Sequence, residues 1–169
     1  MDYITHYASP LGGITLASDG EALVGLWFDG QKHFASCLDP LHETRSSLSV
    51  FDETRRWLDL YFEGTSPDFT PTLAMRGTPF QIQVYEILRS IPYGHTMTYG
   101  EIARAIALQR GRASMSAQAV GAAIGRNPIS IIIPCHRVVG THGALTGYAG
   151  GIDKKEWLLQ WEKMITFAP

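Results

Sequence analysis

Cysteine is scarce in this chain: there are two in 169 residues, Cys37 and Cys135, far apart in sequence. That excludes a disulfide framework, and free thiols suit a reducing compartment. No stretch approaches 18 uninterrupted apolar residues, so no membrane-spanning helix is expected. The opening Met1-Asp2-Tyr3-Ile4-Thr5-His6 lacks the basic and apolar regions of a signal peptide, and the cytoplasm is the expected location. Charged residues make up 18% against 45% hydrophobic, a globular balance that excludes a disordered chain. A strong net charge is also missing, since the total is -2. That average hides a division. Residues 1–75 hold four basic against eleven acidic residues, and residues 76–169 hold ten against five. A basic second half beside an acidic first half is a pointer to a polyanionic partner.

The first half opens with short β-like runs. Gly13–Ala17 and Leu23–Phe28 are separated by an Asp19-Gly20 turn, and Asp29-Gly30 closes the second, which predicts a hairpin or meander. Phe51–Phe62 reads as a helix stopped by Gly64. His33 and His42 flank Cys37, but no second cysteine is near enough to complete a usual zinc set. Pro67, Pro71, Gly77 and Pro79 then interrupt the periodic segments. We therefore divide the chain into residues 1–75 and 76–169.

The second half begins with a helix that Thr78 can cap and Pro79 can open, with Phe80, Val84, Ile87 or Leu88, and Ile91 on one face. Thr98 with Glu101 three residues later suggests a capped second helix, with Ile102 and Ile106 on its buried side. A basic connection around Gly111 leads to a short helical candidate, Ser116–Ile124, rich in alanine and glycine. Two short helices joined in this way resemble a helix-turn-helix, and Arg104, Arg110, Arg112 and Arg126 flank them as phosphate-positioning candidates.

The chemistry concentrates after Asn127-Pro128. Ile129 and Ile131–Ile133 suggest a buried strand or extended segment, and Pro134 restricts the backbone just before Cys135. His136 is adjacent and could take the thiol proton directly or through one water. Arg137 could favour a thiolate or clamp segments together. An imidazolium there would need an orienting carboxylate, and spacing alone does not choose between Glu156 and Glu162. Gly147-Tyr148-Ala149-Gly150-Gly151 follows as a loop whose backbone can approach a ligand closely. Its continuation does not match phosphate-cradling motifs. Asp153 starts a last helix packed through Trp157, Leu158 and Trp161.

Pro134-Cys135-His136-Arg137-Val138 resembles the corresponding motif of the O6-alkylguanine-DNA alkyltransferases, the methylated-DNA–protein-cysteine methyltransferase family. Gly77-Thr78-Pro79-Phe80-Gln81, Ile91-Pro92-Tyr93-Gly94, Thr98-Tyr99-Gly100, Ala119-Val120-Gly121, Asn127-Pro128, Gly147–Gly151 and Lys155-Glu156-Trp157-Leu158-Leu159 extend the resemblance over nearly all of 76–162. It implies an α/β two-domain protein. A ribonuclease-H-like α/β domain comes first, followed by a mainly helical domain with a helix-turn-helix-like DNA-binding element and the active-site cysteine.

The implied activity is direct, irreversible and stoichiometric transfer of a methyl or other alkyl group from O6-alkylguanine, and also O4-alkylthymine, to Cys135 after base flipping. Neither cofactor nor metal is implied. The implied partner is double-stranded DNA, bound by a monomer. The resemblance makes Cys135 the acceptor, His136 its base through a water, Glu162 the orienting carboxylate and Asn127 the hinge residue. It makes Tyr99 a proton donor beside the flipped base and Tyr148 a pocket wall. The Ala149 amide would approach O6, and the Cys135 and Val138 carbonyls would read the exocyclic amine. Ser130 would stand, small, at the pocket entrance. Gln118 and Ala119 would meet the minor groove, with Arg137 added to the DNA-binding arginines. Gln118 departs from the arginine that the family often carries before Ala-Val-Gly, and it lacks that residue's fixed charge and planar fork.

Three rival readings make different demands on the sequence. A damage recogniser without transfer activity would lack the cysteine. A thiol hydrolase would need an oxyanion site for which the sequence offers no independent case. A transcription factor would read operator sequence.

Overall fold

The computed structural model describes residues 1–166. The chain forms two compact units: Met1–Arg76 with Pro128–Ser130, and Gly77–Asn127 with the chain from Ile131 onward.

The first unit is a four-stranded sheet with one helix. Strands β1 (Asp2–Ser9), β2 (Gly12–Ser18) and β3 (Leu23–Phe28) form an antiparallel meander, whose β2–β3 hairpin matches the expectation. A short β4 (His42–Thr44) adds in parallel beside β1, giving the order β3-β2-β1-β4. Neither β1 nor β4 was legible in the sequence. β1 alternates buried and open positions too irregularly, and β4 is three exposed residues. Every residue of β3 is buried. Ala17, Val24 and Trp27 gather Ile4, Ala35, Leu38 and Ala74 around them, while α1 (Ser49–Glu63) lies against β1, β2 and β3. Gly25 is required inside β3, because a Cβ there would stand 2.0 Å from the Trp27 ring. Gly64 ends α1 in the left-handed conformation, its amide satisfying the carbonyls of Leu60 and Tyr61.

Three residues of the second half of the chain belong to this first unit. The Leu26 amide donates to the Pro128 carbonyl at 2.8 Å, and the Ser130 amide donates to the Leu26 carbonyl at 2.9 Å. A single division at residue 75 does not foresee this return.

In the second unit, α2 (Pro79–Arg89), α3 (Tyr99–Gln109) and α4 (Ala117–Gly125) pack on one another. Thr78 caps α2 in a full capping box with Gln81. Thr98 caps α3 through the Glu101 amide, but the Glu101 carboxylate meets the Thr98 hydroxyl instead of its amide. Ser116 caps α4. Two-residue strands β5 (Met97–Thr98) and β6 (Val138–Val139) pair in parallel, which sets the chain after the cysteine beside the start of α3. Helix α5 (Ile152–Thr166) packs on the turn that carries Cys135.

One expectation is corrected. Ile131–Ile133 is buried but is a turn, not a strand, and Ile131 has φ +69°. Only Ile129 makes a strand-like bridge, to Leu26. A continuous apolar run reports burial, and its short length leaves the backbone conformation open.

Candidate active site

Cys135 is presented by two consecutive tight turns. Its amide donates to the Ile133 carbonyl at 2.8 Å around Pro134, whose φ of -81° and ψ of 66° make an inverse γ-turn. A 3-10 turn over Cys135–Arg137 follows at once. Asn127 Nδ2 donates to the same Ile133 carbonyl at 2.8 Å, so the side chain that ends α4 also ties down the segment before the thiol. The proline and this amide bond together fix the sulfur with little backbone freedom. Cys135 is buried, and burial pushes its thiol above the ordinary value. Asn127, Lys155 and Tyr148 pull the other way by favouring the thiolate.

The base and its partners lie in the same turn and on α5. His136 is 0% exposed and Glu162 1%. His136 Nε2 and Glu162 Oε2 are 2.5 Å apart. Glu162 is an acceptor as a carboxylate, so Nε2 carries the proton and Nδ1 is the basic nitrogen. That Nδ1 is buried with no partner among the described residues. Burial holds the imidazole below its ordinary value, against the pull of Glu162. Burial alone would raise Glu162, but His136 and Arg137 outweigh it and hold the carboxyl well below the usual range. Glu156, the other carboxylate left open by spacing, is exposed and accepts from Gln160.

Arg137 fits the clamp reading and departs from the DNA-binding one. It is buried, donating from Nε to Glu162 Oε1 at 2.8 Å and from a terminal nitrogen to the Ile91 carbonyl at 2.8 Å, with its guanidinium over the Tyr93 ring. The Gly94 amide adds a third bond to Glu162. Arg137 is thus an internal clamp between the active-site turn, α5 and the end of the α2 segment. Its fork is committed to protein groups, and it is not a surface contact for phosphate.

The remaining candidates divide. Tyr99 opens α3, and its hydroxyl accepts from Thr146 Oγ1 at 3.1 Å. Its ring lies over Gly121 of α4, where an added Cβ would stand 3.7 Å away. Tyr148 and Ala149 are half-buried in the loop before α5. The Cys135 carbonyl accepts from the Val138 amide, which leaves it a second acceptor direction. Val138 is held in β6. Gln118 and Ala119 are exposed on the first turn of α4, and Arg104, Arg112 and Arg126 are exposed around the helix pair. Arg110 is exposed but engaged, with Nε on Gln83 Oε1 at 2.7 Å and the guanidinium over Phe80. Ser130 is buried and belongs to the first unit.

One residue of the site escaped sequence reasoning. Lys155 is 0% exposed, and its Nζ donates to the Thr146 and Gly147 carbonyls at 2.9 and 3.3 Å. Lys155, Leu158 and Glu162 form the buried face of α5 at i, i+3 and i+7. Two charged residues at helical spacing around a leucine were the signal that could have found it.

Cys37 packs in the first unit with its Sγ toward the Val24 carbonyl, and His42 bonds the Asp39 carbonyl. No three of His, Cys, Asp or Glu gather as metal ligands among the described residues, and no helix there is long and apolar enough to cross a membrane.

Comparison with known proteins gives consistent matches. Residues 3–75 match the family described as 6-O-methylguanine DNA methyltransferase, ribonuclease-like domain, and residues 79–164 match its DNA binding domain. A protein of Methanosarcina acetivorans named methylated-DNA--protein-cysteine methyltransferase is 44% identical, covering 95% of this chain and 97% of its own. One of the same name from Haemophilus influenzae is 39% identical, covering 96% and 87%. Among solved structures, Mycobacterium tuberculosis OGT in complex with DNA is similar with a TM-score of 0.83 and 40% identity, over 96% of this chain and 94% of that one. The O6-methylguanine methyltransferase of the same organism gives 0.82 and 41%, over 100% and 96%.

Proposed function

The chain belongs to the 6-O-methylguanine DNA methyltransferase family, and on that premise we propose how its own residues perform alkyl transfer from DNA. It is a methylated-DNA–protein-cysteine methyltransferase that repairs O6-alkylguanine directly, with Cys135 as the acceptor. The reading rests above all on one observation. A buried thiol adjoins a buried imidazole whose Nε2–H is held by Glu162, leaving Nδ1 as the base.

In the transfer, the thiol proton passes to His136 Nδ1 through a bridging water, and the sulfur electron pair forms a bond to the alkyl carbon. The bond from that carbon to O6 breaks, and its electrons pass into the guanine ring. Tyr99 donates a proton to the leaving base and recovers one from the imidazolium by way of solvent. The net products are S-alkylcysteine and guanine, with the thiol hydrogen on the base. A neutral thioether offers no leaving group for reversal, so one protein repairs one lesion. O4-alkylthymine presents the same alkyl–oxygen bond and is a second substrate.

A buried sulfur cannot reach a stacked base, so the nucleotide is flipped out of the duplex. The exposed first turn of α4, with Gln118 and Ala119, meets the minor groove and fills the gap. Arg104, Arg112 and Arg126 contact phosphates, giving affinity indifferent to sequence, as randomly placed damage requires. The Ala149 amide and the Cys135 and Val138 carbonyls read the base edge, with Tyr148 as a wall. The protein acts as a monomer in the cytoplasm.

Mass spectrometry after incubation with O6-methylguanine DNA tests the reading. One methyl per chain, mapped to Cys135, is expected even with excess substrate. Continued turnover, or a label elsewhere, would overturn it.

A further inference from the structure

The ammonium of Lys155 is fully buried, yet its two hydrogen bonds go to neutral backbone carbonyls, those of Thr146 and Gly147. Among the described residues no carboxylate lies within ion-pair distance of it. Glu162, two turns along the same face of α5, is already answered by Arg137 at 2.8 Å and by His136. A buried cation left without an anion is costly, and such sites normally contain the negative charge that relieves it. Three groups stand near enough to matter. Tyr99 on α3 presents its ring 5.9 Å from Nζ. Cys135 and His136 come from the 3-10 turn against which the buried face of α5, with Lys155 on it, packs. His136 cannot supply a negative charge, and a phenol is a weaker acid than a thiol. The thiol is the group whose ionisation meets the need.

The same contacts hold the pocket together. Lys155 grips Thr146 and Gly147 just before Tyr148, and Thr146 grips the Tyr99 hydroxyl. One buried charge therefore fixes the base-binding loop against the start of α3. We propose that Lys155 is a positioning residue for alkyl transfer, fixing the Thr146–Gly147 loop against Tyr99 and supplying the counter-charge against which the Cys135 thiolate forms. This rests on Cys135 as the acceptor. It assigns the ammonium, and not a resting imidazolium, as the thiolate's partner, because Glu162 already has its cation in Arg137. Burial lowers the Lys155 amine to about 8, and the Cys135 charge pulls it back up. The two groups thus support each other's charged forms.

The test measures Cys135 alkylation by iodoacetamide against pH in wild type, Lys155→Met and Lys163→Met, with folding checked by circular dichroism. Lys163 is exposed on α5 and controls for loss of one charge. In Lys155→Met the reactivity midpoint should rise by a unit or more, slowing alkylation below it about tenfold. Transfer from O6-methylguanine DNA should fall further than iodoacetamide reactivity, because the loop is also released. In Lys163→Met neither should move. An unmoved midpoint in folded Lys155→Met overturns the proposal, and equal losses in the two reactions overturn its positioning half.

A second arm uses unaltered protein. Nuclear magnetic resonance of labelled lysine should show the Lys155 titration fall once Cys135 is methylated, since the thioether carries no charge. An unchanged titration overturns the proposal even if the variant does not fold. Mapping the methyl to Cys135 in the same sample separates failure of this inference from failure of the acceptor assignment.

Discussion

Glu162 accepts from His136, Arg137 and the Gly94 amide at once, and only a carboxylate can do so. An amide in its place turns one end into a donor that faces either the imidazole N–H or the guanidinium. Glu162→Gln should therefore slow transfer about 100-fold or more, the scale of a misplaced general base. It should also cost roughly 3–5 kcal/mol of stability, because Arg137 stays buried without its anion. Single-turnover transfer and urea unfolding on the same preparation measure both; a variant equally stable but slow would mean that Arg137 is not tied to Glu162. At the surface, Gln118 is exposed on the first turn of α4, which the proposed reading sets against the duplex. Gln118→Arg should strengthen duplex binding or speed repair. No change, or a loss, would show that the first turn of α4 does not enter the groove at this residue.

Each unit carries its own buried polar cluster, and the two titrate in different ranges. Burial holds His136 below its ordinary value, so the folded second unit binds fewer protons there than the unfolded chain. Its stability therefore rises with pH toward the ordinary 6.5 and falls on acidification below it. Glu162 is held low by His136 and Arg137, and its contribution is full above the ordinary 4.5 and lost as pH drops through the folded value. In the first unit, the Arg76 hydrogen bonds hold the Asp2 carboxyl low, and that contribution fades only below 3.8. Hydrogen exchange resolved by peptide, expressed as free energy at each pH, should show α2 and α3 weakening from about pH 6.5. Strands β1–β3 should hold until about pH 4. Simultaneous loss in both units above pH 5 would refute this. The elements also show what the sequence could convey. Helix caps at Thr78 and Thr98, the β2–β3 hairpin and the Gly64 stop were legible, because each is a local interaction within a few residues. Strand β4, the β5–β6 pairing and the turn at Ile131–Ile133 were not, since they depend on partners distant in sequence. Within the site, Cys135, His136 and Asn127 were legible from one short stretch. Spacing alone left Glu156 and Glu162 open and only the resemblance pointed to Glu162, while the choice among the readings of Arg137 and the burial of Lys155 needed the packing of α5.

The division of charge along the chain gains a sharper meaning once burial is known. Of the ten basic residues after residue 75, Arg137 and Lys155 are buried within the site, and Arg76 is bonded to Asp2 in the first unit. The cations free to meet DNA are therefore fewer than the sequence total suggests, and Arg104, Arg112 and Arg126 surround the helix pair. Arg110, held by Gln83 and Phe80, is a weaker contributor. Each phosphate neutralised releases counterions, so affinity for duplex DNA should fall with salt at a logarithmic slope of about -3, not the steeper value that all the arginines would give. Arg112→Gln and Arg126→Gln should each reduce the slope by about 1 and weaken binding alike for every sequence. Arg137→Gln should leave the slope unchanged while disabling transfer, because its charge serves Glu162 and not the duplex. Fluorescence anisotropy across a salt series decides the matter: a shallower slope in Arg137→Gln would return that residue to the DNA surface.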